Sequence, residues 1–242
     1  MSAPLSQILS LTLIPVAATI LGGTFASFRT PSEKVRSFVQ HFAAGVVFAV
    51  VAGELLPEIT REHRPLGVAI GFAIGVLLML AVRQFAEKRE GPAESRSGGG
   101  NIGLLAAVGI DVFIDGLLIG VGFAAGAQVG TLLVVALTLE LLFLGVSVAS
   151  SLGQAGTPRG RSILTIAGLS LLVIVGALIG GTVAQGLSGL ALEIVLSFGA
   201  AALLFLVTEE LLTEAHEVKE TPWITAAFFA GFVALYLLEL AQ

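Results

Sequence analysis

The chain contains no cysteine, one tryptophan, one tyrosine and only 12% charged residues in a length of 242. Without cysteine, thiolate metal ligation and disulfides are excluded, and the redox compartment cannot be read. Lys and Arg number twelve and form no basic patch, so nucleic acid is not an expected partner. None of them precedes Arg29. A cleaved signal peptide carries a basic leading segment, so the first apolar run is expected to be a retained helix. A stretch long enough for a soluble domain is also missing. The longest polar segment, Glu87 to Asn101, is a Gly/Ser-rich loop too short to bury a core. There is no Ser/His/Asp, Cys/His or His-Glu-x-x-His arrangement, and Gly120-x-Gly122 sits within an apolar run with no strand before it. Hydrolase chemistry and nucleotide binding therefore have no support, and an enzyme is not expected.

What is present is hydrophobicity, 56% of residues with a mean hydropathy of +1.00. Eight apolar runs are near the ~20 residues that a helix needs to cross a bilayer. They fall at about 8–28, 35–59, 66–85, 102–125, 129–152, 163–184, 190–212 and 223–240, with a loop at 87–101 between the third and fourth. The fold class is all-α integral membrane, a single transmembrane domain over 1–242. Of the twelve Lys and Arg, ten lie in the first, third, fifth and seventh links, and only Arg61 and Arg64 lie opposite. The positive-inside rule makes the ten-residue side cytoplasmic, so both termini and the far links face outward.

The second and seventh runs end alike, in Glu54-Leu55-Leu56-Pro57-Glu58 and Glu210-Leu211-Leu212-Thr213-Glu214. In an eight-span chain these helices run in opposite directions. The echo predicts an inverted repeat, spans one to three against six to eight, with spans four and five between them. Such 3+2+3 arrangements characterise alternating-access transporters.

Asp111 and Asp115, in Asp111-Val112-Phe113-Ile114-Asp115-Gly116, share one face of span four, one turn apart. At ~1.5 Å per residue they lie roughly 14 Å and 20 Å into the span, bracketing the middle of a ~30 Å core. Glu140 lies near mid-depth of span five, and the short joint at 126–128 lets it face the aspartates. A charge at that depth costs about 2.5–3.5 kcal/mol on insertion scales. Three carboxylates without a nearby Lys or Arg need a compensating partner, and a hard or borderline divalent cation fits. The plainer alternative is protonated acids bonded to nearby Ser and Thr. Glu54, with Glu58, Glu62 and His63, can form an access at the outer end of span two. Glu209, Glu210, Glu214, His216 and Glu217 can form an exit at the inner end of span seven. Solvated helix ends are the competing reading for the outermost of these. His41, in the first third of span two, is a metal ligand, a proton carrier or a packed side chain, and packing is favoured. Glu193 is expected at the membrane interface.

The chain resembles the ZIP (Zrt/Irt-like) family of divalent metal transporters over its whole length. Family span four carries His-x-x-x-Glu/Asp-Gly. Here Asp111 takes the His position, Asp115-Gly116 matches the acid-Gly end, and Leu117-Leu118-Ile119-Gly120 continues the match. Aligned on Gly145, Glu140 takes the His position of span five, while ligand positions fall on Val112, Leu141 and Leu144, which cannot bind metal. The resemblance implies inward transport of Zn/Mn/Fe-type ions across a bacterial inner membrane. It implies an elevator-like shift of spans one, four, five and six against two, three, seven and eight. It also implies a homodimer in membrane lipid, with metal as cargo and no prosthetic group. The metal residues it implies are Asp111, Asp115 and Glu140, then Glu54 and Glu210, then His41. Carboxylates in place of both histidines favour a harder ion such as Mn²⁺. The rival expectations are a proton- or sodium-coupled carrier of a non-metal substrate and a transport-deficient scaffold or sensor.

Overall fold

A computed structural model describes residues 5–29, 31–61, 64–89, 100–219 and 221–240. Among the described residues there is no strand, and eight helices are long and apolar enough to cross a membrane. They are Leu5–Phe28, Glu33–Thr60, Pro65–Phe85, Gly103–Ala125, Ala127–Gln154, Arg159–Ala184, Gly189–Ala215 and Pro222–Leu240, called spans one to eight below. The all-helical, eight-span class read from the sequence is the observed one. Most of the loop placed at 87–101 lies outside the described residues, as do Glu62 and His63. A single extended residue, Gly126, joins spans four and five. Gly156 closes span five in the left-handed region at φ 77°, and the Thr157 N–H reaches back to the Leu152 carbonyl at 2.9 Å.

Among the described residues two helices depart from α-geometry, each once and at related places. Span two is wound as a π-helix over Val51–Leu55, and span seven over Leu206–Leu211. A π-turn inserts a residue and re-aims the side chains after it, and such turns gather at functional sites. These two hold Glu54 and the Glu209-Glu210 pair. Pro57 follows the first, but its counterpart Thr213 follows the second and bonds the Thr208 carbonyl five residues back at 3.1 Å. Proline is therefore not required for the distortion.

The helix packing realises the inverted repeat. Span two packs on eight as seven packs on three, and span one packs on five as six packs on four. Adding 158 to the residue number carries Ile8 to Ile166 and Gly23 to Gly181. The Ile166 side chain lies over Gly23, and the Ile8 side chain lies over Gly181. Adding 156 carries Phe42 to Phe198 and Gly75 to Gly231. Gly75 sits against the Phe198 carbonyl and Gly231 against the Phe42 carbonyl. Spans four and five exchange by 25 residues, which carries Gly120 to Gly145. Gly120 abuts the Ala177 carbonyl, and Gly145 abuts the Thr19 carbonyl, which is the same contact after the exchange. Glycine at these places lets helix backbones touch, and in lipid close van der Waals packing is a main source of association. The same operation carries Asp115 onto Glu140 and Glu54 onto Glu210. Spans one, four, five and six pack mainly on one another, as do two, three, seven and eight. Span five meets span two between the groups, and span four meets three and seven.

Candidate metal centre

Asp111 and Asp115 project from one face of span four toward Glu140 on span five. Each of the three offers a carboxylate oxygen, and these oxygens lie within 4.8 Å of one another. Asp115 is 2% exposed and Glu140 3%, while Asp111 is half-buried. Asp115 Oδ2 and Glu140 Oε2 are buried with no hydrogen-bond partner among the described residues. Two buried carboxyl oxygens left unpaired are costly, so the arrangement suits an added cation. Val112 and Leu141, at 1% and 0% exposure, pack in the apolar core around the acids.

Glu210 adds a fourth carboxylate close enough for its charge to act on Asp115 and Glu140. It lines a cavity of about 40 Å³ together with Glu140, Ser147, Gln40, Glu214 and apolar side chains. That is room for a water or a small ion. A second cavity of about 130 Å³ lies next to it, lined by Glu33, Arg36, Gln40, Glu214, Glu217 and Val218. Gln40 and Glu214 belong to both walls, and Gln40 Nε2 donates to Glu214 Oε2 at 2.6 Å. A polar path thus leads from the basic end of the bundle, past this neck, to Glu140.

Glu54 and His41 stand apart from the cluster. Glu54 lies toward the opposite end and accepts a hydrogen bond from Gln128 at 3.0 Å. His41 is buried, with its Nδ1 bonded to the Ser37 carbonyl at 2.8 Å. Thr138 and Ser150 donate to carbonyls of their own helix, whereas Ser147 faces the cavity. Glu193 lies in the first turns of span seven. It is 1% exposed, and its Oε1 accepts from the Arg64 N–H at 3.1 Å, at the start of span three. A carboxylate is favoured there by the unpaired N–H groups of a helix N-terminus. Gln40 is the path residue that sequence reasoning overlooks. Its signal is an amide in an otherwise apolar run, beside His41.

No family model matches the chain. The zinc transporter ZIPB of Bordetella bronchiseptica is 30% identical over 242 aligned positions, which cover 93% of this chain and 78% of that protein. This chain belongs to the ZIP family. Membership agrees with the eight helices, and within the ZIP frame the clustered acids stand at the span-four and span-five positions singled out from the sequence.

Proposed function

We propose that this ZIP protein carries divalent metal ions across a bacterial inner membrane toward the cytoplasm, through Asp111, Asp115 and Glu140. The observation that carries the reading is the convergence of three carboxylates within 4.8 Å, two of them buried with unpartnered oxygens. That the named relative is a zinc transporter supports metal as the cargo. A bound cation neutralises acids that would otherwise cost about 2.5–3.5 kcal/mol each at bilayer depth. Loaded and empty sites therefore differ in how readily they move. No covalent step is needed, and no enzyme activity or prosthetic group is part of the proposal. Oxygen-only ligation favours Mn²⁺ or a broad divalent range over strict Zn²⁺ selectivity.

The movement we assign is elevator-like. Spans one, four, five and six carry the site, while two, three, seven and eight, the frame of a homodimer, stay with the lipid. The packing of the two groups supports this division. The basic links support a cytoplasmic side for the polar path, with both termini outside. Glu210 is assigned to the exit and Glu54, its repeat counterpart, to the outer access.

Uptake into proteoliposomes from a panel of Mn²⁺, Fe²⁺, Co²⁺, Zn²⁺ and Cd²⁺ tests this. At least one ion is expected to enter, and Asp115→Asn is expected to reduce that flux by at least roughly 100-fold, since even outer-sphere losses reach that range. No flux for any ion in folded protein would sink the transport reading and leave a metal sensor or a carrier of another substrate. Flux indifferent to Asp115→Asn would move the site elsewhere.

A further inference from the structure

The chain has three histidines, and two of them meet. His41 on span two and His216, just past the end of span seven, lie with ring centroids 5.1 Å apart and planes at 86°. His41 is 2% exposed. Its Nδ1 lies 2.8 Å from the Ser37 carbonyl, which can only accept, so Nδ1 carries the proton. In the neutral ring this leaves the lone pair on Nε2. That nitrogen is buried and has no hydrogen-bond partner among the described residues. An imidazole whose far nitrogen donates to a backbone carbonyl is oriented as metal-ligating histidines are, with tautomer and ring plane fixed. Packing alone gives no reason for an unpartnered nitrogen beside a second imidazole.

We infer that His41 and His216 form a second metal site, a two-imidazole site for a borderline divalent cation such as Zn²⁺, separate from the carboxylate centre. Two nitrogens that share one Zn²⁺ at about 2.0–2.1 Å each stand roughly 3.3 Å apart. Ring centroids 5.1 Å apart put both imidazoles within reach of a single ion. Two protein ligands leave coordination positions open, which makes the site exchangeable rather than structural. His41 follows Gln40, and His216 lies two residues beyond Glu214, so the pair is close in the chain to the two neck residues, while neither imidazole lines these two cavities. The site goes beyond the transport reading. The main centre offers only oxygen, and this one offers only nitrogen, so the two rank cations differently.

The test uses the full chain in detergent, with Asp115→Asn and Glu140→Gln together removing the carboxylate centre. Equilibrium Zn²⁺ binding and Zn X-ray absorption are measured in that background, then after adding His216→Gln and, separately, His41→Gln. The background is expected to hold one Zn²⁺ per chain with imidazole scattering. His216→Gln is expected to weaken it at least about 100-fold, and equimolar Mn²⁺ is not expected to displace it. His216 is exposed, so its variant decides the matter even where the buried His41→Gln fails to fold. No bound Zn²⁺ in the background, Zn²⁺ that survives His216→Gln, or a spectrum without imidazole would overturn the inference. The transport reading is judged separately, by wild-type uptake.

Discussion

Gln40 and Leu196 occupy equivalent places in the two halves of the molecule, and so do Glu140 and Asp115, Leu144 and Ile119, Leu206 and Val50, and Glu210 and Glu54. The first member of each pair lines the cavity that leads to the basic end. Among the second members, Leu196, Asp115, Ile119 and Val50 are at most 2% exposed. A cavity thus reaches these positions on one side of the architecture, and four of their equivalents on the other side are buried. A pair of inverted repeats need not be in the same state at once, and the exchange of their states is alternating access. The comparison also separates what is symmetric from what is not. Asp115 and Glu140 exchange with each other, but Asp111 corresponds to Ala136. The third carboxylate therefore belongs to one half only, and it feels the charge of Glu214 on the open side.

The largest difference between the two sides is expected from cysteines placed on paired positions, in a chain that has none of its own. Leu144→Cys, on the open side, should react with a membrane-impermeant thiol reagent applied from the basic end. Ile119→Cys, 0% exposed here, should be inert in this state and should react from the opposite end when the carrier is driven over by a metal gradient. Labelling of Ile119→Cys from the basic end, or from neither end under any gradient, would break the equivalence. The difference between sides should be at least about tenfold in rate, because a buried thiol reacts only in the fraction of molecules that expose it.

Much of this was readable beforehand, and the limits are physical. Span count, the spacing of Asp111 and Asp115, and the echo of Glu54-Leu55-Leu56 in Glu210-Leu211-Leu212 are local patterns, and local patterns survive in a sequence. The π-turns at Val51–Leu55 and Leu206–Leu211 are not local, since their sequences share no breaker and only packing against other spans selects the wider winding. Gln40 looks like an isolated amide until span seven brings Glu214 to it. Glu193 looks unpartnered until span three presents its N-terminus. The pairing of Ile8 with Gly181 and Ile166 with Gly23 joins residues more than a hundred positions apart, and no periodicity announces it.

A medium effect is expected from giving the open side the residue of the closed one. Gln40→Leu reproduces Leu196 at the neck. It removes the 2.6 Å bond to Glu214 and the only amide shared by both cavity walls. A cation crossing the neck then loses a polar partner that substitutes for part of its hydration shell. Uptake is expected to fall about tenfold, equivalent to roughly 1.4 kcal/mol on the barrier, with metal binding at the carboxylates little changed. Equal loss of binding and flux would mean that Gln40 belongs to the binding site and not to the path.

The smallest difference should come from the contacts that hold the frame together, because they are alike in both halves. A Cβ on Gly75 would meet Ala201 and the Phe198 carbonyl, and one on Gly231 would meet the Phe42 carbonyl. Each would press on a backbone carbonyl, which does not yield cheaply. Gly75→Ala and Gly231→Ala are each expected to destabilise the protein by about 1–3 kcal/mol, the usual range for overpacking. Thermal unfolding in one detergent checks this, and the two variants should agree within about 1 kcal/mol. Both contacts lie inside the group of spans two, three, seven and eight, which is assigned no internal movement. Substrate affinity in the folded fraction should therefore remain that of the parent in either variant. A shift in affinity with only one of them would mean that the frame rearranges during transport, and the rigid division into a moving group and a fixed group would fail at that helix pair.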